Sequence, residues 1–329
     1  MLYLTTRDKF DTFTASHAMK FDTAPNGGYF VPFKMPQLEM QALSELSFGD
    51  VVSQVLNQLF GTAFSGKELE FSIGRNPIRI KNAQPRTLIA ELFRNLDGSY
   101  AKLERRLAAK ICGCSDSEVV ITSWLSIAIR IAVLFGVFQE LGDRGEYVDI
   151  ALPCDDFRLI MAAWYAKKMG LPVGNIICAC EPDSGVWDLL RQGQMRTSAK
   201  ENAFAELERL ICATLGVQEA LKYNAVCDDG GIYALEAEEI KKLNAGIFCA
   251  VVSNNRVESA ISSVYRTNSC ILAPATAVSY SGLMDYRAKT GATGTALLLA
   301  DSNPADHAGF IAGAMHITEN ELKNLLRNS

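Results

Sequence analysis

Val148-Asp149-Ile150-Ala151-Leu152-Pro153-Cys154-Asp155-Asp156-Phe157-Arg158-Leu159, continuing through Trp164 to Gly170-Leu171-Pro172-Val173, spells a buried strand, a tight turn, a helix and the entry to a second strand. Val148 to Leu152 is the short apolar run of a strand covered on both faces. Pro153 stops it. Asp155 or Asp156 suits the cap of the following helix, where a side-chain oxygen accepts from free N–H groups. Leu159, Ile160, Ala163 and Trp164 recur at helical spacing, and Gly170 ends the helix. Asn175 to Cys180 is the next strand. In such a unit the turn at the carboxyl end of the first strand is the usual ligand site.

The chain has 329 residues, a length that at roughly 150 residues per domain suggests about two domains. Hydrophobic residues make up 49% and charged residues 21%, enough apolar material for a large core. A net charge of −5 argues against broad nucleic-acid or anionic-membrane binding, so a site for an anion must be built locally. The nine cysteines sit in apolar runs. Cys112-Gly-Cys114 and Cys178-Ala-Cys180 lack the two-to-four-residue spacing of a structural zinc pair. Cys178 and Cys180 share one face of a strand, and the expectation is small buried core residues in a reducing cytosol, with no metal. Met1 to Lys9 lacks the apolar segment of a signal peptide, and Ile127 to Phe138 is too short for a membrane span and contains Arg130. The expected location is therefore the cytoplasm.

Along the chain, Met1 to Thr6 reads as a strand and Phe10 to Met19 as a short helix. Pro25-Asn26-Gly27-Gly28 is a turn, since Asn and Gly accept positive φ. Tyr29 to Pro32 is a strand ended by proline. Leu38 to Leu46 and Phe48 to Phe60 read as helices. Leu96 to Ile111 is an amphipathic helix, with Leu103, Leu107 and Ile111 on one stripe and Lys102, Arg105, Arg106 and Lys110 off it. Trp124, Trp164 and Trp187 are expected in the core. Glu236 to Lys242 is a solvated helix face with opposite charges three and four apart.

Several of these segments together resemble threonine synthases. Leu2-Tyr3, Thr5-Thr6-Arg7, then Asn26-Gly27-Gly28-Tyr29-Phe30-Val31-Pro32 and Met35-Pro36 match that family's N-terminal domain in order and spacing. Leu152 to Phe157 stands where the family has Val-Pro-Ser-Gly-Asn-Phe-Gly-Asp. Gly170-Leu171-Pro172-Val173, the helix from Asn202 to Ile211, Ile271 to Val278, and Ala300-Asp301-Ser302-Asn303-Pro304-Ala305 resemble later family landmarks. The resemblance implies a pyridoxal-phosphate enzyme that converts O-phosphohomoserine into threonine. A lysine would hold the cofactor as a Schiff base, and a glycine-rich turn at a helix start would hold its phosphate.

The family pattern also nominates site residues, and this chain departs from it at each. Lys102 falls near the Schiff-base lysine after a one-residue insertion. The phosphate turn maps onto Cys154, Asp155, Asp156, Phe157 and Arg158, where glycines have become Asp155 and Arg158. Asp301 stands where the family has the threonine facing the pyridine nitrogen. The Ser-Gly-Asp-Thr-Gly substrate loop is absent. Glycine lets backbone approach a phosphate closely, whereas Asp adds bulk and negative charge. At ~4 Å and an effective dielectric near 20 each such pair of like charges costs about 4 kcal/mol, roughly a thousandfold in affinity.

The expected fold is α/β: a small threonine synthase-like N-terminal domain (1–88), a helical remnant of a truncated catalytic subdomain (89–118), and a doubly wound sheet domain (119–329) with the cofactor's small domain largely deleted. Three functional readings follow. The first is a scaffold that has lost the family reaction and binds a small amino-acid ligand or a protein partner, with neither nucleic acid nor membrane. The second is a working lyase with pyridoxal phosphate on Lys102 and Asp301 against the ring nitrogen. The third is a divalent cation held by Asp155, Asp156 and Asp301.

Overall fold

The computed structural model describes residues 1–73, 78–94, 100–155, 157–182, 184–197 and 203–328. In chain order the first half carries β1 (Leu2–Thr5), β2 (Asp8–Thr14), α1 (Ala15–Lys20), β3 (Phe30–Pro32), α2 (Met40–Leu43), α3 (Phe48–Phe60), α4 (Gly66–Ile73), β4 (Arg79–Gln84), β5 (Thr87–Glu91), α5 (Tyr100–Cys112) and α6 (Ser123–Leu141). Next come β6 (Val148–Pro153), α7 (Phe157–Lys168), β7 (Val173–Cys180), α8 (Gly185–Gln192), β8 (Gln194–Arg196), α9 (Ala203–Leu215), α10 (Val217–Asp229), β9 (Ile232–Ala234) and α11 (Ala237–Leu243). The chain closes with β10 (Ile247–Val251), α12 (Asn254–Asn268), α13 (Pro274–Thr290), β11 (Ala296–Ala300), α14 (Ala308–Met315) and α15 (Glu319–Asn328).

The main sheet has the order β10-β7-β6-β11-β5-β4, parallel except for β4 at one edge. β5, β6, β7, β10 and β11 are largely apolar because both faces are covered, whereas edge strand β4 carries Arg79, Lys81, Asn82 and Gln84. Ile150, Leu152, Ile176, Leu297 and Leu299 enter the core on one side; Ala151, Ile177, Ala179 and Leu298 enter the core on the other. Helices α6 and α7 pack in sequence on the first side, while α12 and α13 cover the second. On that second side Gly282 lets α13 lie close to β7. A Cβ there would come within 2.7 Å of the Ala179 Cβ. The expected domain limit at residue 88 falls inside β5, so the sheet is built from chain on both sides of it.

Two expectations from the sequence are corrected. Residues 10–19 do not form one helix: Asp8–Thr14 is β2, paired antiparallel with β1 (Tyr3 opposite Phe13), and the helix begins only at Ala15. Alternating Phe and Thr favour a pleated strand once a partner edge is present. The apolar run expected over 127–138 is also longer than its limits suggested. α6 has 19 residues and, by length and composition alone, is apolar enough to cross a membrane. Within the protein 89% of that window is buried, against α3, α5 and α7. A helix apolar on every face is what a central core position requires.

The N-terminal sheet, β2-β1-β3, is fixed to the rest by buried polar contacts. Arg7 pairs bidentately with Glu208 of α9 (Nε–Oε1 3.0 Å, Nη2–Oε2 2.9 Å), and the Thr6 hydroxyl donates to the same carboxylate. Arg209, fully buried, donates to the Phe30 carbonyl at 3.1 Å, to Ser123 Oγ at 2.8 Å and to Glu206 at 3.1 Å. Its guanidinium also lies over the Tyr29 ring, 5.0 Å from the centroid. Trp124, at the start of α6, is 1% exposed and meets Tyr3 and Tyr165 edge-on at 5.6 and 5.5 Å. One side chain thus ties β1, α6 and α7 together.

Candidate functional site

The parallel strands bring their carboxyl ends to one edge of the sheet: Glu91 of β5, Pro153 of β6, Cys180 of β7, Val251 of β10 and Ala300 of β11. The residues singled out in the sequence fall here, with one exception. Cys154 is buried and its N–H donates to the Ala179 carbonyl at 2.8 Å, so the sheet uses that donor. Asp155 is exposed, Phe157 is 2% exposed within the core, and Arg158 is half-buried. Asp156 lies outside the described residues. Asp301 follows β11, half-buried, with one carboxylate oxygen fully covered.

The exception is Lys102, which is exposed on α5. The helix explains why. Tyr100, Leu103, Glu104, Leu107, Ala108, Ala109 and Ile111 are its buried residues; at 3.6 residues per turn all but Ala109 share one face, and position 102 falls opposite it. The lysine nominated by the family pattern is therefore turned from the side of α5 that carries Tyr100 and Glu104. Among the described residues Asp155 and Asp301 also fall in no group of three potential metal ligands.

What lies against Asp301 is a buried polar group that sequence reading missed. Arg130, 5% exposed in the middle of α6, lies 5.0 Å over the Tyr100 ring and 3.7 Å from Glu104. The Ser126 hydroxyl donates to the other Glu104 oxygen. Burial pushes the Tyr100 phenol far above its usual range. The Arg130 charge opposes that shift, and the charges of Glu104 and Asp301 reinforce it. The one hint in the sequence was a lone arginine in an otherwise apolar helix, since a buried cation needs a partner.

Glu91 forms a second charged cluster, 6% exposed at the end of β5. Lys81 Nζ lies 3.0 Å from one of its oxygens, Arg79 3.9 Å from the other, and Arg94 is also paired with it. Beside it opens a cavity of about 280 Å³ that also reaches Asn303, Lys323 and Arg327. A different cavity, about 600 Å³, opens at the amino ends of the strands, around Phe138, Gly142, Val148 and Pro172. It lies away from the turn and the charged clusters, and we assign it no role in the chemistry.

The fold is the one seen in threonine synthases. Residues 2–76 match the family described as the threonine synthase N terminus. Over the whole chain, the fold superimposes on the pyridoxal-phosphate-bound threonine synthase of Brucella melitensis with a TM-score of 0.83, covering 99% of this chain and 94% of that one at 16% identity. Yeast threonine synthase gives a TM-score of 0.77 at 16% identity, with 98% and 93% covered. Among curated proteins the chain is similar to human threonine synthase-like 1, 28% identical over 156 residues, and to its Pongo abelii counterpart, 28% over 148. These matches cover 43% and 41% of this chain but only 21% and 20% of the relatives, so the match spans about a fifth of their length. The resemblance to threonine synthases read from the sequence is borne out, as is the α/β fold.

Proposed function

We propose that this chain keeps the threonine synthase fold without its chemistry and acts as a binding protein. The observation that carries this reading is the pairing of Lys102 in solvent with the buried Tyr100–Arg130–Glu104 group beside Asp301. The residues described do not fit pyridoxal phosphate. The amine at 102 is exposed, on the side of α5 opposite Tyr100 and Glu104, the phosphate turn carries Asp155 in place of glycine, and the Cys154 N–H is already used. A turn that binds phosphate needs free N–H groups and no competing anion.

The test is the absorbance of purified protein mixed with pyridoxal phosphate. The expected spectrum is that of free cofactor, identical for Lys102→Ala. A protein-bound aldimine band that disappears in Lys102→Ala would restore the lyase reading, with Lys102 as the Schiff-base residue.

What remains for binding is the cavity at Glu91. Four cations, Lys81, Arg94, Lys323 and Arg327, and one carboxylate, Glu91, line it in a chain whose overall charge is −5. This is a locally built anion site, and its volume suits a small carboxylate such as an amino acid. Calorimetric titration with small amino and dicarboxylic acids at low salt is expected to show a ligand whose affinity falls in Arg94→Ala and with added salt. Equal heats for wild type and Arg94→Ala would remove the cavity from the proposal.

A further inference from the structure

Three of the nine cysteines, Cys154, Cys178 and Cys180, converge below the end of β6, and a fourth, Cys249, touches one of them. The sheet register puts them there. Cys178 and Cys180 are two apart on β7 and so share a face. On β10, Cys249 lies directly across from Cys178. On β6, Pro153 is opposite Ala179, which carries Cys154 to the side of Cys180. The sulfurs of Cys178 and Cys180 are 3.9 Å apart and those of Cys180 and Cys249 3.3 Å. The sulfurs of Cys154, Cys178 and Cys180 all lie within 4.8 Å of one another. Cys178 and Cys180 are fully buried, Cys154 is 7% and Cys249 5% exposed, and none is in a disulfide.

Buried cysteines are ordinarily small apolar filling, scattered through a core. Three sulfurs meeting at one place, with a fourth touching one of them, need a further reason. Thiolates around a cation at ~2.3 Å sit about 3.8 Å apart, and the Cys178–Cys180 separation of 3.9 Å is near that value. A disulfide would need sulfurs at ~2.05 Å, well inside the 3.3 Å contact.

We propose that Cys154, Cys178 and Cys180 form a thiolate site for a zinc ion, with Cys249, in contact with Cys180, as the sulfur placed to complete it. Burial of all four sulfurs makes it a structural site. The ion pins the chain that leaves β6 to β7, where a threonine synthase would present its turn to phosphate. Loading releases the thiol protons, so the apparent affinity falls as pH is lowered.

The experiment uses the full chain, reduced, stripped of metal by a chelator and titrated with cobalt(II) in the absence of oxygen. The expected result is one cobalt per chain, with the strong visible bands of tetrahedral cobalt and thiolate-to-metal charge transfer, both erased by zinc. Cys180→Ser and Cys249→Ser are expected to lose the charge-transfer intensity. Cys270→Ser, whose sulfur is buried in the core on the other side of the sheet, should keep it. Should the cluster variants fail to fold, the wild-type spectrum decides alone. A weak octahedral spectrum, an equal loss in Cys270→Ser, or a Cys180–Cys249 disulfide that forms with zinc present would overturn the proposal.

Discussion

Arg209→Met is expected to lower the unfolding free energy by about 3–5 kcal/mol, because it strips a buried ion pair of one partner. Arg209 is 0% exposed and Glu206 3%. The loss is larger than that of one contact: the Phe30 carbonyl and the Ser123 hydroxyl lose a donor as well. Urea unfolding with an unchanged slope would measure it. The double variant Arg209→Met with Glu206→Gln should recover part of the loss, since the remaining charge is then removed too. If the double variant is less stable than Arg209→Met, the charge left on Glu206 is not the cause. The N-terminal sheet is expected to loosen first, because Arg209 reaches it through β3.

Trp124→Ala is expected to cost about 3–5 kcal/mol by a different route, a cavity with two aromatic contacts removed. The indole is 1% exposed between Tyr3 and Tyr165, which come from the N-terminal sheet and from α7. Trp124→Phe keeps one ring in the space and should lose less than half as much. Equal destabilisation by both substitutions would mean that the site cannot close around a smaller ring. Thermal unfolding of the two variants beside wild type provides the comparison.

The sequence made the β6–α7–β7 unit legible because each boundary has a local cause. Pro153 closes the strand. Gly170 ends α7 with φ +107°, and a side chain there would meet the Leu38 carbonyl. The charged helix face read over Glu236 to Lys242 is likewise local: it is α11, started by a capping box of Glu236 with Glu239. What escaped the sequence depends on partners distant in the chain. β2 is a strand only because β1 offers an edge. The Tyr100–Arg130–Glu104 group joins two helices, and Arg209 reaches a carbonyl 179 positions away. The cysteine cluster is the clearest case. The Cys178-Ala-Cys180 spacing placed two sulfurs on one face, but the other two enter through the register of β6 and β10, which a sequence pattern does not specify. Lys102 shows the converse. Its place in a family pattern pointed to the site, while the helical period of its own neighbours pointed away, and the structure follows the period.

The all-round apolar surface of α6 constrains how this protein is assembled. As the nascent chain emerges, residues 123–141 form a greasy cylinder whose later cover, α7, has yet to be synthesised. Until residues 157–168 arrive and dock, that cylinder is shielded on the side of α1, α3 and α5 and open where α7 will lie. Any shortened version that stops between these helices therefore leaves its stickiest segment bare and becomes a client of chaperones or a seed for clumping. The portion matching a known N-terminal module is thus not a free-standing unit: its own interior is completed by chain from well beyond it.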